Sequence, residues 1–135
     1  MAYRSAIPSL EPWLRSILRI VIGFTFSCHG MMKLFGFFGG LGGGRAHLFS
    51  LMWLAGILET FGGLLILLGL FTVPVAVILC GEMATAYYMV HMHRGLWPIR
   101  NGGELAVVYC FLYLYLIAAG PGPLSVDSLI RGKYR

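Results

Sequence analysis

The sequence predicts an all-α integral membrane protein, a four-helix bundle, and three observations carry that prediction. Of its 135 residues, 59% are hydrophobic and only 11% are charged, where a water-soluble domain has roughly a quarter of its residues charged. A small body is mostly surface, so the missing charges imply a surface that meets lipid. Four apolar runs approach the ~20 residues that a helix needs to cross the hydrocarbon core, and clusters of Gly and Pro divide them. The runs are too long, and too poor in alternation, to be barrel strands.

The elements follow in order. The first crossing is expected over residues 17–38, ended by Gly39, Gly40, Gly42, Gly43 and Gly44. Arg4, Pro8, Glu11 and Arg15 precede it and no small-residue cleavage site follows, so it reads as a retained span and not as a removable leader. The second is expected over residues 48–71, closed by the turn Thr72-Val73-Pro74. Its glycines Gly56, Gly62, Gly63 and Gly69 let helices approach closely in a medium without a hydrophobic drive to association. The third covers residues 74–93, and residues 94–103, with Gly95 and Asn101-Gly102-Gly103, link it to a fourth over residues 104–119. Gly120-Pro121-Gly122-Pro123 stops the last helix. The length allows a single domain, residues 1–135.

Short links make neighbouring crossings antiparallel, so both termini share one face, here side A. Arg4, Arg15, Arg131, Lys133 and Arg135 lie towards side A; Lys33, Arg45, Arg94 and Arg100 lie towards side B. The small excess favours side A as cytoplasmic. Trp13 would sit at the A interface, and Trp53 and Trp97 at the B interface, as aromatic belts do. The net charge of +5 comes from ends and loops. No basic run interleaved with aromatics suggests nucleic acid, so the excess reads as orientation signal and headgroup contact.

The informative residues are those that do not belong in lipid: His29 and Lys33 in the first crossing, Glu59 in the second, Glu82, His91 and His93 in the third, and Glu104 opening the fourth. Each charge near the bilayer centre costs about 2.5–3.5 kcal/mol even on lenient scales, so these groups must face inward, pair, or be neutral. At ~1.5 Å per residue, Glu59 and Glu82 both lie roughly 16 Å from the B end of their helices, and His29 roughly 12 Å. Lys33 stands one turn above His29 on the same face. Glu104, His91 and His93 would stand at the mouth of a polar shaft open to side B. On a regular helix His93 shares the Glu82 face and His91 opposes it, although Arg94-Gly95 and Pro98 invite irregularity there.

Two carboxylates at one depth repel when both are ionised, so one should retain a proton beside an imidazole. That equips the cluster for proton relay to a quinone or another redox partner. A purely structural network, with Lys33 and His29 neutralising Glu59 and Glu82, is the competing reading. A metal site is the third, because imidazole and carboxylate suit zinc, iron or manganese; the absence of a Glu-x-x-His spacing weighs against a di-iron version. The glycine run lacks the Gly-Lys-Ser/Thr ending of a phosphate cradle. Cys28, Cys80 and Cys110 form no C-x-x-C pair and read as packed thiols. Tyr109, Phe111, Tyr113 and Tyr115 read as a packing or lipid-facing stripe.

His29-Gly30 with Lys33, Glu59 with Gly62-Gly63, Leu68-Gly69-Leu70-Phe71-Thr72, Glu82-Met83, His91 followed by Gly95-Leu96-Trp97-Pro98, and Asn101-Gly102-Gly103-Glu104 occur in this order. Together they resemble the DoxX family of small bacterial and archaeal membrane proteins, over about residues 14–130. The resemblance implies a four-helix membrane bundle. It also implies a loose association with redox chemistry, since the family takes its name from a membrane subunit of an archaeal thiosulfate:quinone oxidoreductase; some relatives are partners in oxidative-stress complexes and distant ones are assembly factors.

The expectation is therefore a bacterial inner-membrane protein with cytoplasmic termini. His29, Glu59 and Glu82 would handle protons. Lys33, His91, His93, Glu104 and Trp97 would receive a quinone, with no metal and no nucleic acid. A membrane or peripheral redox protein, or a second copy, would be the partner. The alternative is a scaffold or assembly partner whose buried charges are structural.

Overall fold

The computed structural model describes residues 10–132; Arg4, Lys133 and Arg135, used above for orientation, lie outside them. Every regular element among the described residues is helical, the fold that composition and run length predict. Helix α1 is Glu11–Phe35, followed by a 3-10 turn, Phe37–Gly39. Helix α2 is Leu51–Leu68, with a π turn at Leu58–Gly62. Helix α3 is Thr72–Arg94, regular to Ala86, then a π turn at Tyr87–His91 and a 3-10 turn at Met92–Arg94. After a single turn, Pro98–Asn101, come α4, Glu104–Ala119, and the short α5, Val126–Arg131.

Helices α1, α2 and α3 are each long and apolar enough to cross a bilayer, and α4, at 16 residues, is shorter. It spans about 24 Å against a hydrocarbon core of ~30 Å. The boundaries follow local chemistry. Pro12 sits in the first turn of α1, where its missing N–H costs nothing, and the helix begins at Glu11, ahead of the apolar run. Ser50 caps α2, its Oγ accepting from the Trp53 amide at 3.1 Å. Helix α2 stops at Gly69, whose φ of 69° is the left-handed conformation that a residue with a Cβ adopts only at a cost.

The packing inverts that of a soluble protein. Val21, Phe24, Phe61, Leu68, Ile78 and Phe111 point outward, while Ser16, Arg19, Ser27, Glu59, Thr60 and Asn101 are buried. Between them Phe26, Ile66, Leu79, Tyr113 and Leu116 form a dry core. Helices α1 and α2 meet backbone to backbone. A Cβ on Gly63 would stand 2.6 Å from the Ser27 nitrogen and 2.9 Å from the Gly23 oxygen, and one on Gly30 would stand 2.7 Å from the Gly56 oxygen. The second-crossing glycines Gly56 and Gly63 are thus used as expected, against a matching row on α1. This contact carries Lys33 to Glu59.

Helix α3 packs most extensively on α4. The A end is closed by residues 120–131, which fold under the bundle and are held by Arg19. Its guanidinium donates to the carbonyls of Ile66 and Leu67 at 2.5 Å each, to Pro121 at 2.8 Å, and to Leu124. The first two are last-turn carbonyls of α2, beyond the helix's own i+4 ladder; the Ile66 carbonyl also accepts from the Gly69 amide at 3.0 Å. Asp127 on α5 accepts from the Phe71 and Thr72 amides at 2.9 and 2.8 Å, capping α3 from a distance. Burial pushes the Asp127 carboxyl up, but those amides and the nearby Arg131 outweigh it and hold it below its ordinary value of 3.8.

Candidate functional site

The acidic residues of α2 and α3 turn inward. Glu59 is 3% exposed and lies in the π turn of α2, where one extra residue per turn rotates the following side chains. Its Oε1 is 2.5 Å from Lys33 Nζ, an ion pair that joins α1 to α2. Its Oε2 is buried with no hydrogen-bond partner, as is the neighbouring Thr60 Oγ1.

Glu82 is the less satisfied of the two. Both of its carboxyl oxygens are buried and neither meets a donor. Glu59 and Lys33 lie close enough to act on it through the low-dielectric interior. The Tyr113 hydroxyl, fully buried and also without a partner, completes this interior region, within electrostatic reach of both carboxyls. The cluster therefore holds two carboxyls and one ammonium, with several donor and acceptor atoms unspent.

His29 stands half-buried on α1, one turn below Lys33. Its ring lies edge-on to Tyr109 at 6.3 Å, and the Tyr109 hydroxyl donates to Thr25 Oγ1 at 2.7 Å. Imidazole, ammonium and the first carboxyl thus follow one another along the α1 face that meets α2 and α4. The aromatic stripe divides accordingly. Tyr109 and Tyr113 are buried and stacked at 6.1 Å, whereas Phe111 and Tyr115 face outward.

At the B end the expected mouth residues separate. The π turn and 3-10 turn that close α3 break the regular wheel. His91 lies half-buried, its Nδ1 3.2 Å from the Asn101 carbonyl oxygen and its ring stacked on Tyr87. His93, Trp97 and Glu104 are exposed. What organises this end is Asn101, 2% exposed. Its Nδ2 donates to the Gly95 carbonyl at 2.7 Å and the Tyr87 hydroxyl at 3.1 Å, its Oδ1 accepts from the Gly103 amide at 2.8 Å, and Tyr87 donates onward to the Leu96 carbonyl at 2.6 Å. A groove of about 350 Å³ lies elsewhere, on α1 and α2, with Leu34, Phe35, Arg45, Trp53, Ile57 and Phe61 in its walls.

Three features escaped sequence reasoning. Arg19 is 0% exposed but sits among Arg15, Ile17 and Leu18 as if at a membrane edge. Asp127 lies beyond the last apolar run. Cys80 and Cys110 are 30 positions apart with no motif to link them, yet their Sγ atoms are 3.7 Å apart across α3 and α4. They are packed thiols, as the sequence suggests, and helix packing, not sequence spacing, brings these two together. Among the described residues no group of three or more His, Cys, Asp or Glu is placed to hold a metal ion.

A chain from Haemophilus influenzae carried as an uncharacterized protein is 40% identical over 122 residues, 87% of this chain and 91% of its own length. Another uncharacterized protein of that organism is 34% identical over 70 residues, 52% of this chain and 46% of its own. No solved structure matches. A model of the DoxX family matches residues 14–92, which hold His29, Lys33, Glu59, Glu82 and His91. This chain is a multi-pass membrane protein, and it belongs to the DoxX family.

Proposed function

We propose that this chain is a quinone-linked redox subunit of a bacterial inner membrane, folded as one domain over residues 1–135. In it the Glu59–Glu82–His29 cluster moves protons as a quinone is reduced or oxidised. The observation that carries the reading is Glu82: a carboxyl with both oxygens buried and unpartnered, beside a second carboxyl and a single ammonium. One ammonium balances one carboxylate, so the trio is neutral when it also holds one proton. A proton held this way can be exchanged with a bound partner without leaving a net charge in lipid. Lys33 fixes Glu59, and His29 extends the relay. His93, Glu104 and Trp97, exposed at the B end, would meet the quinone first, and half-buried His91 would stand behind them. Both termini lie in the cytoplasm, because Lys33 is spent inside the bundle and no longer counts towards side B. The electrons pass to or from a membrane or peripheral redox protein, or within a homo-oligomer.

The test separates chemistry from folding. Glu82→Gln keeps the shape and removes the exchangeable proton, whereas Glu82→Ala also opens space. In lipid nanodiscs, Glu82→Gln is expected to retain the thermal unfolding midpoint of the wild type and to weaken binding of a tetrasubstituted benzoquinone about tenfold, ~1.4 kcal/mol. A folded wild type that binds no quinone sinks the proposal, as does a Glu82→Gln protein that binds it unchanged.

A second reading is favoured by the 2.5 Å Lys33–Glu59 pair: a scaffold or assembly partner whose charges hold α1 to α2. A membrane protein co-purifying in stoichiometric amount, with no quinone bound to either, would support it.

A further inference from the structure

We propose that Cys80 and Cys110 form a reversible dithiol–disulfide couple that bridges α3 and α4 and gives two electrons to a quinone. The inference rests on the quinone reading above for its electron acceptor, but its geometry is independent of the carboxyl cluster.

The two Sγ atoms lie 3.7 Å apart, and the Cys110 thiol also lies 3.6 Å from the Cys80 carbonyl oxygen. A disulfide needs about 2.05 Å between sulfurs, so closure requires less than ~2 Å of movement, within reach of side-chain rotation. The two residues sit on α3 and α4, each packed into the helical core, so the approach is held by the core and not by a mobile loop. Both side chains are half-buried. Next to Cys80, Gly81 is exposed, and nothing lies within 4 Å of where its side chain would stand. Gly81 thus faces outward, and Phe111, 64% exposed, follows Cys110 on the other helix, so the partly exposed thiols border the lipid-facing surface. In this proposal a flat ring dissolved in the membrane meets the sulfurs from the hydrocarbon side, where both thiols are partly exposed. Cys28, on α1 and likewise half-buried, has no second sulfur within hydrogen-bonding range among the described residues and serves as the internal control.

The step balances as a two-electron transfer. Two S–H bonds break and one S–S bond forms. The two electrons and two protons pass to the quinone, which becomes the quinol. A dithiol reductant resets the couple by exchange through a mixed disulfide.

The experiment uses the full chain in nanodiscs, reduced with a phosphine that is then removed, under anaerobic conditions. A tetrasubstituted, short-tailed benzoquinone is added, since full substitution prevents the ring from alkylating thiols. The sample is quenched in acid, denatured and alkylated, and the intact mass counts free thiols while absorbance counts quinol. The expected result is loss of two of the three alkylation sites, a Cys80–Cys110 linked peptide, and about one quinol per chain. Cys28→Ser should behave alike, while Cys80→Ser and Cys110→Ser should each produce no quinol. Cys80→Ala and Cys110→Ala repeat the test should either serine variant misfold. Three thiols left free in the wild type, or oxidation that survives Cys80→Ser, would overturn the proposal.

A parallel arm replaces the quinone with diamide, which needs no binding site. Closure by both oxidants supports the couple. Failure of diamide overturns the pairing itself, and closure by diamide alone overturns the quinone as acceptor. Unchanged quinone binding with open thiols in both arms would place the failure in the couple and leave the carboxyl reading standing.

Discussion

At the scale of single residues, the bundle stakes its stability on two inward-facing cations, Lys33 half-buried and Arg19 fully buried, held in opposite ways. Lys33 faces a carboxylate, so removing one partner leaves the other charged and alone in a dry interior. Lys33→Met is expected to cost about 3–5 kcal/mol, read as a lowered midpoint in denaturant titration in mixed micelles. The double variant Lys33→Met with Glu59→Gln should recover most of that loss. A double variant no more stable than Lys33→Met would show that the pair is not what binds α1 to α2. Arg19 instead faces carbonyls. Its planar fork reaches acceptors on α2 and on the 120–131 segment at once, and a lysine offers a single point of charge. Arg19→Lys should therefore destabilise nearly as much as Arg19→Met, and proteolysis within residues 120–131 should rise in both. The sequence made Lys33, Glu59 and Glu82 legible because a charge in an apolar run has no other explanation. Arg19 was not legible, because its depth depends on where the helix starts, and a polar first turn hides that.

Elements lock together by close approach and by borrowed caps. On α1 and α2 the contact leaves no room for a methyl group, so Gly63→Ala must push the helices apart. A loss of about 2–3 kcal/mol is expected, together with loosening of the Lys33–Glu59 pair; infrared bands of an isotope-edited carboxylate would report the second effect. The glycines on α2 announced this face in the sequence, but the matching row on α1 was diluted by Ser27 and became visible only in the packed pair. The cap on α3 comes from 55 residues away, so no local pattern could reveal it. Asp127→Asn should cost about 1–2 kcal/mol. Because the Asp127 carboxyl is held below its ordinary value of 3.8, its contribution is complete above about pH 4 and fades as the pH falls through the lower folded value. The wild type should thus lose stability on acidification below about pH 4 more steeply than Asp127→Asn does. Parallel acid titrations would contradict the cap. The π turns were likewise illegible, since one extra residue in a helix leaves no mark in composition.

The molecule as a whole is asymmetric. Its A end is closed by residues 120–131, tied by Arg19 and Asp127, while its B end is built of loops arranged around one asparagine. The carboxyl cluster lies inside, and Arg45, Arg94 and Arg100 lie exposed towards B. If the termini are cytoplasmic, a cysteine introduced in the first B-side loop by His47→Cys, in a background lacking the three native thiols, should react with an impermeant maleimide added outside spheroplasts. Reaction only after lysis would invert the topology. The crossings and their order were readable from hydropathy, and the burial of the acidic residues from their place in apolar runs. Which mouth residues face inward was not readable, because α3 abandons regular geometry just where the count is needed.

The guanidinium of Arg19 also constrains biogenesis. Two of its four acceptors, the carbonyls of Pro121 and Leu124, lie 102 and 105 residues further along the chain, and so leave the ribosome long after Arg19 does. Until they arrive, the first helix carries a permanent cation that is only half satisfied, since arginine does not shed its proton. The nascent protein cannot settle its first helix before residues 121–124 emerge, and a chain truncated near residue 120 would stay marked as unfinished, available to membrane quality control.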